Sequence, residues 1–246
     1  MREVLIPKEG GRGETRPLGI SNIEDKIVQK MLSKVLEAIY EPIFRGCSYG
    51  FRPGKSPHMA VKALDGYLYR NECEVVIDVD LKNFFGTISH DKMLEILRMK
   101  VKDERFIRYV GRMLISGILG EKGFRVSEEG TPQGSMVSPI LANIYAHYVI
   151  DCWFEDVVKE KVKGSVEMFR YCDDIVICCR YRSDAERVVE ALNGRLKKYS
   201  LMLNEEKTRL VSFSKKAFAG GVKHGTFDFL GFTFYLAQSR KGNVIV

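Results

Sequence analysis

The chain has 246 residues, with 39 Lys and Arg against 32 Asp and Glu, a formal net charge of +7. That length suits one large domain or two closely packed subdomains, and a composition 45% hydrophobic and 29% charged excludes wholesale disorder. No window approaches ~18 consecutive apolar residues, which excludes a transmembrane helix. The N-terminus has no charged-then-apolar signal pattern, so the expected setting is cytoplasmic. Cys47, Cys73, Cys152, Cys172, Cys178 and Cys179 form no C-x-x-C pair and read as reduced thiols, neither a disulfide framework nor a zinc site. The basic balance points to a polyanionic partner, nucleic acid first.

In chain order, Ser21-x-x-Glu24 reads as a capping box. It opens a helix on which Ile27, Val28, Met31, Leu32, Val35, Leu36 and Ile39 recur at helical period until Pro42. Ser56-Pro57 caps a second helix that reaches about Tyr69. Val75–Leu81 alternates as a strand, with Val75, Ile77 and Val79 on one face and Asp78 and Asp80 on the other. Ser138-Pro139 opens a long apolar helix to about Val158. Met168–Tyr171 and Ile175–Cys179 are short apolar strands joined by a tight hairpin at Cys172-Asp173-Asp174. Ser183-x-x-Glu186 is a second capping box, and Arg209–Phe213 and Thr226–Tyr235 are extended.

From Val75 to Phe213 the order is strand, helix, strand, strand, helix, strand. That is the split βαβ, ferredoxin-like order, in an α+β chain with an antiparallel sheet. A long insertion follows the first strand, and that strand is expected on the outside of the sheet beside the hairpin. The topology brings Asp80, at the end of the first strand, toward Asp173 and Asp174 at the hairpin turn. Three clustered carboxylates repel one another unless cations neutralise them, and oxygen ligands of this kind suit Mg²⁺. Asp-Asp is equally good turn chemistry, so the residues alone leave the two readings in balance.

Tyr171-Cys172-Asp173-Asp174 has the Y-x-D-D form of reverse transcriptases, and its surroundings resemble the bacterial group II intron-encoded branch. Ile6-Pro7-Lys8 with Arg16-Pro17-Leu18-Gly19-Ile20 resembles the fingers hairpin of that family, and Ser48–Gly54 with Ser56 and His58 its next block. Asp80-Leu81-Lys82-Asn83-Phe84-Phe85 resembles the first catalytic motif, and Gly130–Ser135 with Ser138-Pro139 the block lining the nucleotide pocket. Leu203-Asn204 with Glu206-Lys207-Thr208, and Phe229-Leu230-Gly231-Phe232, resemble the last two palm blocks.

The resemblance implies a right-hand polymerase fold. Fingers would occupy residues 1–74 and 93–132, and palm residues 75–92 and 133–246. It implies an RNA-directed DNA polymerase that adds deoxynucleotides to a primer 3′-OH with two Mg²⁺ ions. Asp80 and Asp173 would be the principal metal ligands and Asp174 the third acid. Asp78 would be at best a supporting residue. Lys207 would protonate pyrophosphate. Lys8 and Arg16 would hold the triphosphate, Phe85 would lie beneath the sugar and exclude a 2′-OH, and Gln133 and Gly134 would brace the nucleotide. Tyr171, Phe229, Leu230 and Gly231 would contact the primer. Each has a plainer reading as well: Phe85 and Phe229–Phe232 as core, Lys8, Arg16 and Lys207 as surface charge. The basic run Arg98, Lys100, Lys102, Arg105, Arg108 and Arg112 reads as a template track or as a solvated helix face.

The implied partners are an RNA template, a DNA primer, dNTPs and a structured intron RNA, with dimerisation open and no membrane. Two departures stand out. Gly86 occupies a position where the family usually carries an aspartate, and Val246 comes shortly after the last palm block, before the usual helical thumb. The alternative reading is therefore a non-catalytic, maturase-type RNA-binding scaffold.

Overall fold

The computed structural model describes residues 1–7, 15–120, 123–125, 129–131 and 134–246. In chain order its elements are β1 (Arg2–Pro7), β2 (Thr15–Ile20), α1 (Ile23–Tyr40), α2 (Pro57–Arg70), β3 (Val75–Val79), α3 (His90–Arg98) and α4 (Glu104–Leu114). There follow β4 (Ile118–Gly120), β5 (Gly123–Arg125), α5 (Ser138–Ala146), β6 (Val166–Tyr171), β7 (Asp174–Cys179) and α6 (Arg182–Lys198). The chain closes with β8 (Arg209–Ser212), α7 (Lys215–Ala219), β9 (Phe227–Phe229), β10 (Phe232–Phe234), β11 (Ala237–Gln238) and β12 (Val244–Ile245).

Residues Met1–Phe44 with Asn83–Tyr145 form one compact unit, and Arg45–Lys82 with Ala146–Val246 a second. In the first, β1 pairs antiparallel with β2 and parallel with β4 in a sheet of order β2-β1-β4-β5. Leu36, Tyr40, Met93, Leu97, Ile107, Val110 and Leu114 are buried from α1, α3 and α4. Asp103 caps α4 by accepting from the Arg105 and Phe106 amides.

The start of α1 differs from expectation. Its cap is Asn22, whose side chain accepts from the Asp25 amide at 2.7 Å. Ser21 is instead buried, its hydroxyl accepting from Gln29 Nε2 at 2.9 Å. Gln29 Oε1 also accepts from the Met136 amide at 3.0 Å. That bridge turns Gln29 inward, so the buried face is Gln29, Leu32, Ser33, Leu36 and Tyr40, while Ile27, Val28, Met31 and Val35 are exposed.

The second unit carries the ferredoxin-like sheet, order β6-β7-β3-β8, antiparallel throughout. β3 lies inside this sheet, between β7 and β8, and not on the outside as expected. α2 and the β9–β10 hairpin cover one face, joining Leu64, Leu68, Phe227 and Phe229 to Val76, Phe169, Cys178 and Val211. Against the other, α6 packs on β3 and β7 and buries Val188, Leu192 and Leu196. The expected cap at Ser56 is present, accepting from the Met59 amide.

Ser183 caps nothing. α6 begins at Arg182 without a side-chain cap, and the carboxylate of Asp184 is drawn to the Lys163 and Gly164 amides at 3.0 and 2.8 Å. The helix expected from Ser138 to about Val158 is only partly α-helical. Wider π turns occupy His147–Asp151 and Phe154–Val158. Among the described residues no helix is long and apolar enough to cross a membrane.

Candidate active site

Strand register places the acids. β3 and β7 pair from Val75↔Cys179 to Val79↔Ile175, so one further step brings Asp80 level with Asp174. Tyr171 pairs with Asp174, which leaves Cys172 and Asp173 as the two turn residues. At Val76 this sheet face is sealed by α2 and the C-terminal hairpin. At its other end it opens into a cavity of about 420 Å³ lined by Asp78, Asp80, Asp173, Asp174, Glu206, Lys207 and Arg209.

Neighbours hold these side chains. Asp80 Oδ1 accepts from Asn204 Nδ2 at 3.0 Å, and the Asp80 amide donates to Thr208 Oγ1 at 3.2 Å. Backbone pairing ties the same two segments, with the Asn204 amide donating to the Asp80 carbonyl at 2.9 Å. Asp78 is taken by Arg209, its cross-strand partner, in an ion pair of 2.6 Å.

Behind the turn lies a buried network. Arg170, fully buried, donates from Nε to Asp151 Oδ1 at 2.6 Å and from Nη2 to Asp151 Oδ2 at 2.5 Å. Its Nη2 also reaches Ser48 Oγ at 2.8 Å, and Nη1 the Cys172 carbonyl at 3.1 Å. The Cys47–Tyr49 segment docks on β6, the Arg170 amide donating to the Cys47 carbonyl and the Tyr49 amide to the Arg170 carbonyl, both at 2.8 Å. Gly50 then lies so close that a Cβ there would stand 2.5 Å from the Cys172 amide nitrogen. Cys172 has φ +60°, a conformation that costs a non-glycine residue roughly 1–2 kcal/mol. Its thiol is buried, and burial first, then the charge of Asp173, pushes it well above the ordinary thiol range. That makes it a poor oxidation site.

Asp174 opens to solvent, yet the walls of the cavity crowd it. Burial, then the charges of Asp173, Asp80 and Asp78, push its carboxyl up to about 6. A cation would relieve that repulsion, and the donor set is all oxygen, as Mg²⁺ prefers. Among the described residues no three His, Cys, Asp or Glu side chains converge closely enough to form a preassembled metal cluster. The oxygen donors of Asp80, Asp173 and Asp174 are of the kind that would suit an ion taking one or two protein carboxylates.

Of the expected site residues, Asp80, Asp173, Asp174 and Lys207 share this cavity. Tyr171 ends β6 at the turn, its ring 6.0 Å from that of Phe51. Phe229, Leu230 and Gly231 form the tip of the β9–β10 hairpin, with Phe229 buried in the core and Leu230 partly buried against it. Phe85 belongs to the first unit, half-buried with its ring 5.5 Å from Phe84. Gly134, also in that unit, has φ +99° and packs against the Gly19 carbonyl. The Arg16 backbone pairs with Ile6 in the β1–β2 hairpin. Lys8 and Gln133 lie outside the described residues.

The basic run divides. Arg98 pairs with Glu104 at 2.9 Å and Lys102 donates to the Arg98 carbonyl, whereas Arg105, Arg108 and Arg112 surround Tyr109 on an open face of α4. Sequence reasoning assigned no part to Asn204, Thr208, Arg209, Arg170 or Asp151. For the first two the motif carrying Lys207 was the available signal. For the last two none existed, since a strand arginine and a helix aspartate 19 residues apart carry no local pattern that pairs them.

The family profile described as reverse transcriptase (RNA-dependent DNA polymerase) matches residues 6–234. An uncharacterised 91 kDa protein in the cob intron of Schizosaccharomyces pombe is 45% identical over 159 residues, covering 65% of this chain and 19% of that protein. Group II intron-encoded protein LtrA of Lactococcus lactis subsp. cremoris is 35% identical over 60% of this chain and 24% of its own length. The chain thus spans about a fifth to a quarter of these two relatives. Apo telomerase from Candida tropicalis superposes with a TM-score of 0.70 over 95% of this chain and 47% of its own. At 14% identity that is a likeness of fold.

Proposed function

The chain belongs to the reverse transcriptase (RNA-dependent DNA polymerase) family, and on that premise we propose that it is the fingers–palm part of an RNA-directed DNA polymerase of the group II intron type. The observation that carries this reading is the single cavity shared by Asp80, Asp173, Asp174 and Lys207 at the open end of the palm sheet. Its substrates would be an RNA template, a DNA primer and dNTPs. Its fingers would be residues 1–74 and 93–132 and its palm residues 75–92 and 133–246.

In this reading Asp80 and Asp173 would hold the metal, with Asp174 beside them. When bound, two Mg²⁺ ions would neutralise the crowded carboxylates and polarise the phosphate under attack. Asn204 and Thr208 keep Asp80 aimed into the cavity. Lys207, exposed on the cavity wall, donates a proton to the departing pyrophosphate. Phe85 discriminates against a ribose 2′-OH by bulk, Lys8 and Arg16 steady the triphosphate, and Gln133 and Gly134 brace the nucleotide. Tyr171 and the Phe229–Gly231 tip hold the primer end.

The deciding experiment is primer extension on an RNA template with dNTPs and Mg²⁺ at low salt, beside Asp173→Asn. Extension by the native chain alone supports the polymerase. A second reading, an RNA-holding scaffold of the maturase type, is favoured by Gly86 at the family's acidic position. It predicts RNA binding without extension by either protein.

A further inference from the structure

Arg170 is buried directly behind the turn that carries Asp173, and nothing in the catalytic assignment uses it. Its guanidinium donates to Asp151 twice, then to Ser48 and to the Cys172 carbonyl. The first two fix the plane of the fork, and planar bidentate pairing does this in a way a lysine ammonium does not. The fourth bond reaches the backbone of a residue at φ +60°, the one non-glycine of the hairpin turn on the left-handed side. Gly50 closes the turn from another side. Asp151 itself sits at the end of a π turn, fully buried, and pairs with Arg170 at 2.5 Å. His147 lies 4.0 Å away, but burial pushes its imidazole down to about 4 and leaves it neutral near neutral pH.

We propose that Arg170, oriented by Asp151, is a positioning residue that holds the Cys172–Asp173 turn so that the Asp173 carboxylate points into the shared cavity. Buried pairs of this kind add little net stability over an apolar pair of similar volume, but they do fix geometry when one arm grips a functional loop. The kinetic arm of the test rests on the polymerase reading. The metal-binding arm does not.

Two variants test it: Arg170→Lys, which keeps the charge beside Asp151 but loses the fork, and the double change Arg170→Met with Asp151→Leu, which replaces the pair by apolar side chains. Both are compared with the native chain by thermal melting, by Mn²⁺ binding followed by electron paramagnetic resonance, and by primer extension. The expected result is a folded protein that binds Mn²⁺ about 10- to 100-fold more weakly. Its kcat should fall about 100-fold while KM for the nucleotide stays near that of the native chain. A folded variant with native Mn²⁺ affinity and native kcat overturns the assignment. Loss of folding in both variants overturns it too, because Arg170 would then be a determinant of the fold and not of the turn. If the native chain itself extends no primer, the polymerase reading fails, and the Mn²⁺ comparison still decides the role of Arg170.

Discussion

Asn204 Nδ2 donates to Asp80 Oδ1 at 3.0 Å across 124 residues of chain, so the loop before β8 aims a carboxylate carried at the end of β3. Metal ligands are held in direction by such outer partners. Asn204→Ala should therefore leave the fold intact and weaken Mn²⁺ binding about 10-fold, as read by the same resonance titration.

Asp173→Asn removes a charge without changing size. Incorporation in a primer-extension assay should fall to background while the melting profile stays native. Unchanged incorporation would sink the metal-site assignment.

The fold and the acids were legible in the sequence for different reasons than the rest of the site. Alternation in Val75–Leu81 and the tight turn at Cys172-Asp173 are local signals, and together with strand order they brought Asp80, Asp173 and Asp174 to one place. Asn204 and Thr208 act on Asp80 from 124 and 128 positions away, and Arg170 joins Asp151, 19 positions off, to Ser48, 122 positions off, with side chains ordinary in type. Local pattern misled where tertiary contacts claimed the side chain. Ser21 looked like a cap but serves Gln29, and Asp184 in the second box turned away to two loop amides. The apolar residues of α1 recur at helical period, yet Gln29 decides which face turns in, and Ile27, Val28, Met31 and Val35 stay exposed.

The charge on Asp174 makes the second compact unit less stable at neutral pH. Its folded carboxyl titrates near 6 against an ordinary 3.8, so the folded state holds the extra proton between those values. That contribution to stability is fully present below 3.8 and is lost as pH rises through 6. Asp174→Asn should accordingly raise Tm at pH ~7.5, with the gain vanishing toward pH ~4. A gain independent of pH across a calorimetric series would contradict this.

Gly50 is required by the turn it touches. Gly50→Ala places a methyl 2.5 Å from the Cys172 amide, a backbone atom that has no room to give. The expected cost is about 1–3 kcal/mol in chemical denaturation. Extension activity should be lost along with it, and an unaltered denaturation midpoint would refute the packing argument.

On α4, Arg105, Arg108 and Arg112 around Tyr109 offer RNA phosphates three guanidinium groups and a ring. Replacing all three by Ala should weaken RNA binding. It should also make the dependence of log K on log salt shallower by about 2–3, measured by fluorescence anisotropy. An unchanged slope would return these arginines to solvent.

Gly86 carries a consequence for descent. Asn83, at φ +49°, lays its amide across position 86, where a Cβ would meet Asn83 Oδ1 at 2.7 Å. Gly130 presses on Gly86 from the other side, a Cβ there lying 2.8 Å from the Gly86 Cα. An acid at position 86 thus requires the exposed Asn83 side chain to swing aside, a rotation of a flexible group that leaves the backbone of the loop in place. The family's usual acid is therefore one substitution and one side-chain rotation away from Gly86.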